Sequence, residues 1–146
     1  MSVDKKIIPF KPEHLMEFDS AIFEFFPDLE KRGRLYSENG PAYSAVINGK
    51  IWGCAGVILL WPGVGEAWAI SILNAPQTFP IFFHKAVIQM LNRIIKLHEL
   101  HRVQAAVRCD WEQAQKWIER IGFEREGLMR QYLPDHADCW RYAKVV

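Results

Sequence analysis

Residues 103–123, VQAAVRCDWEQAQKWIERIGF, decide how this chain folds. Residues 103–107 form a short run of small and β-branched apolar side chains, the kind that makes a buried strand. Asp110, followed three residues later by Gln113, is a capping-box pattern that starts a helix at Trp111. Ala114, Trp117, Ile118 and Ile121 give that helix an apolar face. Gly122 stands where a helix end favours a residue that accepts the left-handed conformation. Downstream, residues 125–132 and 138–145 read as two strands joined by a turn at Pro134-Asp135-His136.

Upstream, Pro80 suits the first turn of a long helix, where its missing N–H would be unpaired anyway. Phe83, Val87, Met90, Leu91, Ile94 and Leu97 share one face of this helix, with Lys85, Gln89, Arg93 and Lys96 opposite. Before it lies a meander. Residues 43–47 and 51–60 are β-rich runs joined by Asn48-Gly49, a dipeptide suited to a tight hairpin turn. Residues 62–65 make the next turn, and residues 66–73 return as a strand. At the start, residues 5–10 predict a first strand, and Leu15, Phe18, Ile22 and Phe25 recur at helical spacing until Pro27. Residues 28–38 form a second, weaker helix, closed by the turn Asn39-Gly40-Pro41.

Composition bounds the function classes. The chain has 146 residues, half of them apolar, which predicts one domain over residues 1–146 with a single sizeable core. Eighteen basic and 17 acidic side chains give a net charge of +1, so no electrostatic footprint for nucleic acid or a membrane surface is expected. Cys54, Cys109 and Cys139 have no metal-type spacing and no signal peptide precedes them, which predicts reduced thiols in a cytoplasmic protein. The longest apolar run, near residues 55–61, falls far short of the roughly 20 residues that cross a bilayer. Six tryptophans and nine phenylalanines are a heavy aromatic load and suit a cleft or an interface. Patterns for hydrolases, kinases and dehydrogenases are missing.

The order of elements, with Gly122-Phe123 after the last helix, resembles the GNAT-type acyl-CoA N-acyltransferases over nearly the whole chain. More loosely, the sequence is similar to small GNAT-like proteins of tailed phages with an eroded glycine loop. The resemblance implies an α+β fold: one mixed, mostly antiparallel sheet of about six to seven strands flanked by about four helices. In that family the fourth strand splays from the fifth, and the pantetheine arm of the acyl donor pairs with strand backbone in the gap. Here those backbone groups would belong to Ile70, Ser71 and Ile72. Acetyl-CoA, or another acyl-CoA, is thus the implied co-substrate.

The family's pyrophosphate loop, Q-x-x-G-x-G/A, retains Gln77 but carries Pro80 and Phe82 in its glycine positions. Proline removes a donor, and a large side chain impedes close backbone approach. Thr78, His84 or Lys85 could compensate, although Lys85 also reads as a solvated helix lysine. Glu66, eleven residues before Gln77, sits where family members carry the glutamate that deprotonates the acceptor amine through water. It equally fits a turn-edge glutamate after Gly65. The family's general-acid tyrosine falls at Ile118, so Tyr132 or Cys139 would have to substitute, and Tyr132 also fits a packing role. The family asparagine of the cofactor site corresponds to Trp111 or Asp110, the latter also explained as an N-cap. His98 and His101 suit a helix C-terminus, and no metal is expected. Asp135, His136, Asp138 and Cys139 read as turn residues.

These readings converge on an N-acyltransferase that acts on an amine of a small molecule or protein. The alternative is a catalytically degenerate GNAT-shaped binding or phage-particle protein. Aromatics near Trp140 and Tyr142, taken as exposed, favour a homodimer.

Overall fold

Asn48 and Gly49 adopt φ angles of 49° and 80°, the left-handed pair that lets a hairpin turn follow the twist of its strands. They join β2 (Ala42–Ile47) to β3 (Lys50–Trp61), and a turn through Gly63 leads into β4 (Val64–Ser71). In this computed structural model the described residues are 3–17, 28–72 and 75–146. β1 (Lys5–Pro9) pairs with β2, and β5 (Arg102–Arg108), β6 (Glu124–Met129) and β7 (Cys139–Val145) complete one seven-stranded sheet of order β1-β2-β3-β4-β5-β7-β6. Every neighbouring pair is antiparallel except β4 and β5, which run parallel. This is the mixed, mostly antiparallel α+β architecture that the sequence implies.

Among the described residues four helices flank the sheet: α1 (Leu29–Glu38), the short α2 (Ala75–Thr78), α3 (Pro80–Leu97) and α4 (Glu112–Arg120). Strand alternation assigns side chains to the two faces. On one face Leu91 and Ile94 of α3 and Ile118 of α4 bury against Val57, Val103 and Tyr142. On the other, Leu29 and Tyr36 of α1 and Leu15 of a 3-10 turn (Pro12–Glu17) cover Val46, Cys54 and Ile70. This second layer packs on residues of β2, β3 and β4, and α3 with α4 span the sheet from β3 to β7.

Several expectations need correction. Leu97 is 71 % exposed and Ile95 is buried in its place, because a step of two residues turns a helix by about 200°. Helix α4 starts at Glu112, and its N-cap Trp111 makes no side-chain cap bond. Asp110 is drawn instead to Arg108, whose Nε and Nη2 donate to its carboxylate at 3.0 and 3.2 Å. A charge-assisted bond of this kind outcompetes a cap onto a neutral N–H. Gln115, a buried amide that the sequence reading placed on no face, closes the junction by donating to the carbonyls of Arg108 and Cys109, both at 2.9 Å. Tyr142 is fully buried, with its hydroxyl donating to Glu119 and accepting from Arg125. The exposed aromatic invoked for a homodimer is therefore core, and Trp140 is half-buried beneath the Arg125 guanidinium, 4.1 Å from its ring. The 3-10 turn begins where a helix was expected, and Phe18, Ile22, Phe25 and Pro27 of that expected helix lie outside the described residues.

The 3-10 turn is tied to the sheet by polar groups as well as Leu15. His14 Nδ1 accepts the backbone N–H of Lys11, so it carries no proton there, and the Ser44 hydroxyl, 2.7 Å away, must donate to it. Cys54 Sγ lies 3.3 Å from Ser44 Oγ and completes the chain as donor. Burial pushes the Cys54 thiol up to about 12, so it stays protonated and serves the core.

The turn at Asn39-Gly40-Pro41 is held against β3 by Leu59 N–H donating to Asn39 and Val57 N–H to Pro41. A Cβ at Gly40 would overlap the Val57 carbonyl oxygen, a backbone atom that cannot move aside. Gly127, by contrast, has open space around it. Gly40→Ala is expected to lower stability by about 1–3 kcal/mol or more, seen as a lower urea midpoint, while Gly127→Ala stays within about 1 kcal/mol of the parent.

Candidate active site

The parallel ladder between β4 and β5 has three rungs, Val64 with Arg102, Gly65 with Val103 and Glu66 with Gln104. Beyond them β4 continues to Ser71, bonded only to β3, and β5 continues to Arg108, bonded only to β7. The two strands part after Glu66. Ala69 is exposed although it lies on the fourth of seven strands, as it must where the neighbouring strand has moved away.

The direction of the β4 backbone follows from one bond. Ile72 N–H donates to Trp52 of β3 at 3.0 Å, and in an antiparallel ladder successive residues alternate between facing and turning from their partner. Ile70 therefore also directs its backbone groups to β3, in its unbroken register with Cys54. Of the three residues expected to line the gap with their backbone, only Ser71 faces β5. It is joined by Ala67 and Ala69, which the sequence reading did not name. Their small side chains point to the α3 face and leave room there, whereas Glu66, Trp68 and Ile70 point to the α1 face.

Glu66 lies on the last rung of the ladder. Its carboxylate accepts Gln104 Nε2 at 2.9 Å and Arg141 Nη1 at 3.0 and 2.8 Å, so β4, β5 and β7 are stitched together at the point where the sheet opens. It is partly buried by these neighbours and is not the solvated turn-edge side chain that the sequence also allowed. The Arg141 guanidinium lies 5.8 Å from the Tyr132 ring. The two residues expected to act as base and acid are thus linked through an arginine that sequence reasoning missed. Alternation along β7 was the available signal, since Trp140 and Tyr142 face the core and Arg141 must face away.

Arg108, Asp110, Trp111 and Asp135 gather at the far end of β5. Arg108 Nη1 donates to Asp135 at 2.8 Å, and its guanidinium lies 5.3 Å from the Trp111 ring. The Arg108 guanidinium holds both the Asp110 and the Asp135 carboxyl below the usual range. Cys139, next to this cluster, is buried and its thiol is pushed up to about 11 by desolvation. No water-accessible proton donor is available from it.

Before α3 the chain makes the one-turn helix α2, with Gln77 and Thr78 exposed. Phe79 meets Trp52 edge to face at 5.1 Å, and the Lys5 ammonium lies 5.4 and 5.9 Å from the Phe79 and Phe82 rings. Both rings join the cluster of Ala45, Ile47 and Phe83 under β2. The N-cap of α3, Phe79, makes no side-chain cap bond, and Lys85 is exposed one turn on. Ile118, where the resemblance puts a tyrosine, is buried. Among the described residues no group of three or more His, Cys, Asp or Glu could hold a metal ion, and no helix is long and apolar enough to cross a membrane.

No family profile matches the chain, and no curated protein matches it. Solved structures do. Ribosomal-protein-S5-alanine acetyltransferase from Vibrio fischeri superposes with a TM-score of 0.76 at 16 % identity, over 97 % of this chain and 92 % of that one. IAA acetyltransferase from Bacillus cereus gives 0.76 at 15 %, over 98 % and 100 %. An acetyltransferase of the GNAT family from Streptococcus pneumoniae gives 0.70 at 16 %, over 98 % and 99 %. The likeness to phage proteins gains no support from these three bacterial structures. At such identities the shared property is the architecture, and the chain has the GNAT fold over nearly its whole length.

Proposed function

We propose that the protein is an acyl-CoA-dependent N-acyltransferase that moves an acyl group, most simply acetyl, onto an amine. The observation that carries this reading is the early end of the β4–β5 ladder, which leaves backbone groups of Ala69 and Ser71 without a strand partner. An extended amide-bearing arm can complete them as an added strand. The residues present fit such an arm better than they fit a diphosphate. Pro80 offers no N–H, and Phe82 fills a glycine position at the helix terminus where an anion would dock.

The acyl donor supplies a thioester carbonyl. A neutral amine nitrogen forms the new bond to that carbon while the carbon–sulfur bond breaks and its electron pair leaves on sulfur. Glu66 takes the amine proton on a carboxylate oxygen, through water, and Tyr132 is the candidate that returns a proton to sulfur from its hydroxyl. Gln104 and Arg141 hold the Glu66 carboxylate in place for this role. Ile70 and Ile72 anchor β4 beside the opening by packing their side chains into the core. Asp110 and Trp111 form its β5 rim, and Gln77, Thr78 and Lys85 stand on the helical side.

A second reading is favoured by two observations. Pro80 and Phe82 stand where the loop needs glycines, and Ile118 is buried where the family places its proton donor. On that reading the chain keeps the fold as a binding protein without transfer. Affinity measurements separate the two.

Acetyl-CoA is expected to bind saturably by calorimetry and to raise the melting temperature. Because a charged hydrogen bond contributes about 1.5–3 kcal/mol and the loop has lost donors, acetyl-pantetheine is expected to bind within about tenfold of acetyl-CoA. No saturable binding of either at millimolar concentration would leave the second reading standing. Glu66→Gln is expected to lower kcat/KM by about a hundredfold or more with an unchanged circular dichroism spectrum. An unchanged rate removes Glu66 as the base.

A further inference from the structure

Two arginine–glutamate pairs lie on the α1 side of the sheet, and they are built differently. Arg102 grips Glu126 with two nitrogens, Nη1 to Oε2 at 2.9 Å and Nη2 to Oε1 at 2.6 Å. This is the fork-to-fork geometry that uses the guanidinium fully. Arg141 holds Glu66 with Nη1 alone, which serves both carboxylate oxygens. Its Nη2 and Nε make no hydrogen bond to a described residue, and the side chain keeps 18 % of its surface open. The Tyr132 ring lies beside the guanidinium, 5.8 Å from centroid to carbon. A two-donor edge is left beside a carboxylate that is itself 21 % exposed.

A second unused donor stands nearby. Trp68, two residues along β4 and on the same face as Glu66, buries its indole Nε1 without a partner among the described residues. Its ring stacks on Tyr36 at 4.0 Å, so it cannot swing to find one. A buried indole N–H without an acceptor costs free energy that a ligand oxygen or a water recovers.

From these observations we infer that the acceptor is an α-amino acid or a molecule ending in that group. Its carboxylate lies on the Nε–Nη2 edge of Arg141, and its amine lies on Glu66. In an amino acid the two groups are two bonds apart, which matches a glutamate and an arginine already in contact. A polyamine fits poorly. The positive charge of Arg141 cancels the attraction of Glu66 and stands directly beside the incoming ammonium, and Arg102 with Glu126 adds no net field. A carboxylate on a planar guanidinium edge gains a bidentate, charge-assisted contact that an amide or a bare amine lacks. Arg141 is accordingly the specificity-determining residue of this face. The inference rests on the acyl-transfer reading for its chemistry, and on binding alone for its geometry.

Matched acceptors test it: phenylalanine, phenylalanine amide and phenethylamine, then lysine and cadaverine, each assayed for transfer from acetyl-CoA and for a melting-temperature shift without donor. The free amino acids are expected to exceed their amide and amine partners by about tenfold or more in kcat/KM and to be the ones that shift the melting temperature. Arg141→Gln is expected to cost the amino acid about tenfold more than it costs the matched amine, and Arg141→Lys to recover part of the loss. Circular dichroism confirms that each variant is folded. If amides or bare amines react as well as amino acids, or if Arg141→Gln depresses all acceptors alike, the inference falls while acyl transfer stands. If acetyl-CoA binds nowhere and no acceptor is modified, the transferase reading falls. An amino-acid melting shift that Arg141→Gln abolishes would then still support the binding geometry, and its absence would overturn that as well.

Discussion

Three rungs of parallel ladder carry the junction between the two halves of this sheet, and the rest of the molecule is arranged around their small number. Backbone bonding alone would let β5, β7 and β6 swing on β4. The helical layer prevents it: Leu91 and Ile94 of α3 pack in one cluster with Val57 of β3, Val103 and Ala105 of β5 and Tyr142 of β7. Each such side chain, fully buried, contributes about 1.5–3 kcal/mol. One face therefore locks the halves together while the backbone edge between them stays open. Backbone groups left without a strand partner in such an opening need water or a ligand, so the cleft follows from a closed helical layer laid over a short ladder.

Much of this was legible from single residues with one physical meaning. Asn48-Gly49 could only be a tight turn, Pro80 marks the first turn of α3, and Gly122, at φ 103°, ends α4. The meander and the C-terminal hairpin followed from alternation and turn chemistry. What failed were inferences in which a local preference met a stronger long-range partner. Asp110 reads as a cap until Arg108 claims it, and Tyr142 reads as surface until Glu119 and Arg125 satisfy its hydroxyl inside the core. At the candidate site, spacing singled out Glu66, and nothing local announced Arg141, which bonds it across 75 positions of sequence. Periodicity shows which face a residue takes and cannot show which residue waits there.

The N-terminus of α3 illustrates a trade between two kinds of anchoring. A glycine loop would present bare N–H groups to an anion. Here the same segment is apolar, and Phe79 and Phe82 bind it to Trp52, Ala45 and Ile47 with a lysine ammonium over both rings. The segment is thereby fixed to β2 and β3. The helix terminus has been given to packing.

The position of the Glu66–Arg141 pair joins these points. A carboxylate at the crotch of two parting strands has lost the backbone neighbour that would continue the ladder, and it recovers partners from Gln104 on β5 and Arg141 on β7. A partly buried ion pair of this kind contributes little net stability, since desolvation offsets much of the Coulomb gain, yet removing one partner strands the other. Its value is positional: it fixes a carboxylate at the mouth of the cleft and brings a guanidinium with it. Had Arg141 been placed for stability, the two-nitrogen grip seen at Arg102 would serve better. The one-nitrogen grip keeps the carboxylate oriented and leaves a donor edge turned outward, which is the arrangement expected where a charged group of another molecule is to be met.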